Sequence, residues 1–160
     1  MKISLILLFN ILFMAVHASP PEMNKKFEKE LEKHFSSDKI VLSKIEEISD
    51  EQDIFFKLLN QGAEVGIAVL TEAEGRFDKF DYMIIYDTNL QIELIKILVY
   101  RSQYGSEITA KRWLSQFYDK QNDSLKYGSD IQAISGATFS ASALTKNINR
   151  INKKLREYKD

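Results

Sequence analysis

The chain contains no cysteine, and that absence removes more chemistry than any other feature of its composition. Disulfides, thiolate nucleophiles, iron–sulfur clusters and cysteine-ligated zinc are excluded. Histidine is nearly absent too, with 2 in the chain, His17 and His34. That is too few for a histidine-rich metal centre, and a histidine-based triad lacks material. Any redox role must therefore rest on an organic cofactor. Proline (2) and glycine (6) are scarce, and there is no repeat, low-complexity run or interdomain linker, so the chain reads as one compact domain. Charge of one sign is lacking as well. The 22 basic residues face 23 acidic ones, which supplies no basic face for a nucleic-acid partner.

What is present begins with a leader. Lys2 is a short positive start, Ile3 to Val16 is apolar apart from Ser4 and Asn10, and Val16-His17-Ala18 ends in small residues. This layout predicts a secretory signal peptide over residues 1–18, cleaved after Ala18, and a mature, exported domain over residues 19–160. An uncleaved N-terminal anchor is the alternative, although the stretch is short for spanning ~30 Å of hydrocarbon. Loss of Lys2 with the leader brings the net charge to about −2.

After Pro20-Pro21, Phe27, Leu31 and Phe35 recur every four residues among charges, predicting a one-sided helix from about Glu22 to Phe35 with His34 solvated at its end. Lys39 to Ile48 is ambiguous, because Ile40-Val41-Leu42 suits a strand whereas Ile45 and Ile48 suit a helical turn. Strands are predicted at Ile54 to Leu59, Val65 to Leu70, Phe80 to Tyr86 and Ile92 to Tyr100, with an exposed connection at Thr71 to Gly75. The last of these strands is apolar on both faces, which predicts a central position. Thr109 to Tyr118 reads as a short helix, and Gln121 to Asp130 as a polar loop containing the glycosylation triplet Asn122-Asp123-Ser124. The expected fold class is α+β, an antiparallel β-meander sheet flanked by N-terminal and C-terminal helices.

The most informative stretch is Asp130 to Ser142, in which an apolar approach leads to a small-residue turn at Ser135-Gly136-Ala137 and then to Thr138. Beyond it Ala141, Leu144, Ile148, Ile151 and Leu155 form one helical stripe. A helix therefore starts near Thr138, with Thr138 or Ser140 available to cap it. Its unpaired amides and partial positive charge suit a phosphate, and Gly136 permits close approach of the backbone. An ordinary capped terminal helix satisfies the same spacing. Trp113 and Phe117 fall four apart on one side of the preceding short helix and suit the core. Arg101 suits either a phosphate or a surface ion pair.

Ser135-Gly136-Ala137-Thr138, with Ser140 two residues on, resembles the Ser-Gly-Ala-Thr signature of the FMN-binding domain family. That family includes the periplasmic flavin subunits of Rnf and sodium-pumping NADH:quinone oxidoreductase complexes. Val99-Tyr100-Arg101, Tyr104 to Ile108 and Trp113 to Phe117 are similar to segments that precede the signature in small single-domain members, so the resemblance covers about the last two-thirds of the chain. It implies FMN joined by a phosphoester to Thr138, made by a dedicated flavin transferase. In the family an acidic residue stands three positions before the signature serine and contributes to recognition by the transferase. Here that position is Gln132, and the nearest acid is Asp130. The resemblance also gives Trp113 or Tyr104 an alternative role, stacking on the flavin ring, and gives Arg101 one at the flavin's electron-rich edge.

The resemblance thus implies an exported, periplasmic electron carrier, more than a self-contained enzyme, working between membrane-bound or periplasmic redox proteins. No catalytic side chain and no metal are expected. A non-covalent flavin-binding module, and an exported interaction domain of the same fold without cofactor, are the alternatives.

Overall fold

The computed structural model describes residues 21–36, 39–120 and 124–160; the expected leader, and Asn122 and Asp123 of the glycosylation triplet, lie outside these. Its centre is a five-stranded antiparallel meander in which every strand pairs with its sequence neighbour. The strands are β1 (Ile40–Lys44), β2 (Ile54–Asn60), β3 (Ala63–Glu74), β4 (Lys79–Tyr86) and β5 (Ile92–Val99). Helix α1 (Pro21–His34) precedes the sheet; a short helical stretch between Ser106 and Phe117, containing α2 (Lys111–Leu114), and the long helix α3 (Thr138–Lys159) follow it. The architecture is α+β with helices at both ends of the chain.

Side chains alternate across a strand, so the sheet has two apolar faces and needs a cover on each. On one face Phe56, Leu58, Leu70, Met83 and Ile85 pack with Phe27 and Leu31 of α1. On the other, Phe55, Val69, Tyr82, Ile84 and Ile95 pack with the predicted stripe of α3, all five members of which are fully enclosed. Full burial of each leucine and isoleucine contributes about 1.5–3 kcal/mol and of the alanine methyl less, so the stripe is the main apolar anchor of α3.

One ambiguity resolves and two expectations change. The ambiguous segment is a strand through Lys44, and Ile45 then turns inward to the core. Thr71 to Glu74 is not a connection but the end of β3, with Thr71 and Ala73 buried and Glu72 and Glu74 less so. Acidic residues on the outer positions disguise a period of two. Finally, β5 is an edge strand, not a central one. It is apolar on both faces because α1 and the helical stretch around Trp113 cover it, and its start is bridged by main-chain bonds between Ile92 and both Asp119 and Lys120.

A polar seam fixes α3 against the sheet. Asp53, at the start of β2, is 0 % exposed. Its carboxylate pairs with the Arg150 guanidinium, accepts from the Thr71 hydroxyl (2.6 Å), and lies 3.5 Å from the Lys154 ammonium. Asparagine is a poor helix former, yet α3 has three, and each is used. Asn147 accepts from the Tyr82 phenol (2.8 Å), Asn152 accepts from the Tyr86 phenol (2.6 Å), and Asn149 exchanges two bonds with the Leu125 main chain. Burial pushes both phenols up, so they remain neutral donors.

Removing Arg150 strands an enclosed charge. Arg150→Met is expected to cost about 2–3 kcal/mol in urea unfolding, less than for a fully enclosed pair because Lys154 remains. Adding Asp53→Asn is expected to restore part of that loss; a second, additive loss would show that the two side chains act independently.

Candidate functional site

Helix α3 begins where the sequence places it, but without a side-chain cap. Gly136 adopts φ 84°, the left-handed conformation that glycine tolerates, and Ala137 occupies the N-cap position. The Ala141 amide donates to the Ala137 carbonyl at 2.9 Å. The amides ahead of it have no partner within the helix. Thr138 is the first helical residue and is exposed, as is Ser135. Neither Thr138 nor Ser140 caps these amides, contrary to expectation. Ser140 lies beside the buried stripe and is itself buried, so its hydroxyl turns inward.

That hydroxyl is held by Tyr100. The Tyr100 phenol donates its one proton to the Tyr104 carbonyl (2.7 Å), leaving Ser140 to donate to the phenol oxygen across 3.0 Å. The chain after β5 crosses directly over the start of α3 at Gly105, which also has φ 84°. A Cβ there would stand 2.6 Å from the Tyr100 hydroxyl and 3.7 Å from the Ala137 Cα. A Cβ on Gly136 would stand 2.8 Å from a carboxylate oxygen of Glu107. The turn is thus enclosed by the Tyr104 to Glu107 loop on one side while Thr138 stays open to solvent.

The approach to the turn is held from the opposite side. The Trp113 indole N–H donates to the Gln132 carbonyl at 2.8 Å, and the Gln132 amide donates to Gln116 Oε1 at 2.8 Å. The Trp113 ring is buried and meets Phe117 edge-on, with centroids 5.6 Å apart. Trp113 therefore positions the segment leading to the signature, and its ring belongs to the core. The Gln132 side chain is exposed. Asp130 is engaged locally, its carboxylate accepting from the Lys126 amide at 2.8 Å.

Of the predicted site residues, Ser135, Gly136, Ala137, Thr138 and Ser140 share the turn and first helical residues, with Gln132 and Trp113 behind them and Tyr104 beside Gly105. Arg101 is elsewhere. It forms a two-pronged pair with Asp81 and donates to the Lys79 carbonyl at 3.0 Å. Asp81 alternates with Phe80 and Tyr82, so it leaves the sheet on the α1 face, away from the turn. Hydrogen bonding to Asp81 raises the Arg101 pKa. Tyr100 and Glu107 lie in segments that carry the resemblance, but their contacts with Ser140 and Gly136 cross intervals without periodicity, so spacing gives them no role at the turn.

Three features at Thr138 suit a phosphate ester and one opposes it. Thr138 is exposed, the helix amides beside it lack a side-chain cap and two glycines keep Cβ atoms off the turn, whereas the Glu107 carboxylate against Gly136 repels a second anion. The attraction comes from the amide end of α3, since Arg101 is committed to Asp81. No protein-family model matches the chain, and no curated protein matches it either. The resemblance to the FMN-binding domain family therefore rests on the residues named for it.

Both glycines are expected to resist substitution, unequally. Gly136→Ala meets left-handed strain of about 1–2 kcal/mol, while the Glu107 side chain can move aside. Gly105→Ala adds a clash with a phenol held by two hydrogen bonds, so its loss in urea unfolding is expected to be the larger. Equal losses would contradict the geometry around Tyr100.

Proposed function

We propose that this chain is an exported FMN-binding domain that carries flavin on Thr138 through a phosphoester and relays electrons outside the cytoplasm. The observation that supports it most directly is the placement of the Thr138 hydroxyl, exposed on the first residue of an uncapped 22-residue helix, within a sequence resembling the family's attachment signature.

Attachment by a flavin transferase would join Thr138 Oγ1 to phosphorus, with loss of the hydroxyl proton. The P–O bond to the leaving part of an activated flavin nucleotide would break, and the leaving group would keep the bond pair. The chain's own part is to present the hydroxyl and stabilise the product. Gly136 keeps a Cβ off the turn, the free amides of α3 would offset the ester's negative charge, and Tyr100 with Ser140 holds the helix start in place. Bound flavin supplies hydride and single-electron chemistry; the protein supplies position and electrostatics. A covalent link also retains the cofactor outside the cytoplasm, where a dissociated one diffuses away. The partners are the flavin transferase and membrane-bound or periplasmic redox proteins, and the chain acts as a carrier.

A second reading, non-covalent flavin binding at the same turn, is favoured by one observation. Gln132, with its side chain in solvent, stands where the family carries an acid. Colour separates the two. Protein exported by a host with an active flavin transferase is expected to purify yellow and to keep its colour after acid or heat denaturation. Thr138→Ser is expected to retain some, and Thr138→Ala none. Colour released on denaturation from wild type and Thr138→Ala alike would support the non-covalent reading instead.

A further inference from the structure

Aromatic side chains exposed to solvent gather at the end of the fold that holds Thr138. Phe77 and Tyr104 are each 65 % exposed and Phe139 is 56 % exposed. The meander puts the β3–β4 turn and the end of β5 at the same end of the sheet, and the Tyr100–Ser140 bond brings the start of α3 there. Phe77 occupies the tip of the β3–β4 hairpin, inside a turn closed by the Gly75 amide and the Asp78 carbonyl at 3.0 Å. Turn tips favour glycine, asparagine and aspartate, so a large apolar ring at that tip lacks a local reason. The tip nevertheless holds a defined position. The Phe77 and Tyr104 ring centroids are 6.1 Å apart at an interplanar angle of 58°, and the Arg76 guanidinium lies 5.3 Å from the Phe77 centroid. Tyr104 is adjacent to Gly105, whose Cβ position is 3.7 Å from Ala137, the residue before Thr138.

We propose that Phe77 and Tyr104 form the seat for the planar ring system of the flavin carried on Thr138, an assignment that rests on the reading of Thr138 above. Such a ring is flat and apolar on its faces, and its tether at Thr138 starts beside the loop that carries Tyr104. With the Phe77 and Tyr104 rings inclined at 58°, it would lie on the face of one and meet the other edge-on, contacts that need no matching hydrogen-bond pattern. The hairpin tip thereby gains its reason: β3 and β4 extend beyond the body of the sheet to carry Phe77 to Tyr104. Tyr104 also brings an electron-rich phenol, which quenches the emission of a flavin stacked on it.

The test uses flavinylated full-length protein, with attachment confirmed by mass in every variant, and reads flavin emission and its quenching by iodide. Wild type is expected to emit weakly per bound flavin and to be shielded from iodide. Phe77→Ala and Tyr104→Ala are each expected to raise the iodide-accessible fraction about fivefold, the change that loss of one aromatic stacking partner produces. Tyr104→Phe is expected to keep the shielding while regaining emission, because the ring remains and the phenol is gone. Val41→Ala, at an exposed position on β1, is expected to change neither. Flavin attached to all variants but equally accessible in each would overturn this assignment alone. Variants that leave the emission unchanged yet slow reduction by a redox partner would make the platform a protein-docking surface, and would overturn it too. Wild type without flavin would remove the assignment together with the reading of Thr138.

Discussion

Asp53 has no access to solvent, and its charge is tolerable there only because Arg150 and Lys154 of α3 and Thr71 of β3 surround it. An apolar stripe can slide along an apolar sheet with little change in buried area, whereas this set of charged and polar contacts has one register. Asn147 and Asn152 repeat the constraint against Tyr82 and Tyr86. The hydrophobic faces thus hold α3 to the sheet, and the polar seam decides where along the sheet it stops. That choice sets the position of its first residue, Thr138.

A second constraint acts at the other end of the helix. Tyr100 leaves β5 and ties both the Tyr104 carbonyl and the Ser140 hydroxyl, and its hydroxyl lies 2.6 Å from where a Cβ on Gly105 would stand. Trp113 and Gln116 hold the backbone of Gln132 from behind. The turn at Gly136 is therefore supported by the sheet edge, by the helical stretch around Trp113 and by the body of α3. Rigid support of this kind is what a covalently tethered group needs in order to be presented in one orientation.

Much of this was legible in the residues. The stripe from Ala141 to Leu155 located α3, the glycine and small residues located its turn, and apolar runs bounded by turn residues located β2, β4 and β5. What escaped notice depended on contacts between distant segments. Thr71 and Ala73 kept the period of two, but Glu72 and Glu74 gave the stretch the composition of a loop. The burial of β5 on both faces came from helices that cover an edge, and local pattern does not distinguish that from a central position. Arg101 suited a phosphate by residue type, yet its partner Asp81 is set by strand register between β4 and β5. Ser140 looked like a cap because serine caps helices, and only the fold shows it facing Tyr100 instead.

These constraints converge on Thr138, which is exposed, beside helix amides with no side-chain cap, and next to a turn with no Cβ at Gly136. A carboxylate also stands against that turn, supplied by Glu107 across the fold and not by the position Gln132 occupies. The most direct test is the intact mass of the exported protein, made beside an active flavin transferase, followed by mapping of the peptide that contains Thr138. The account expects an added mass of one FMN less one water, located on that peptide. An unmodified mass, while a control substrate of the same transferase is modified, would contradict covalent attachment at Thr138.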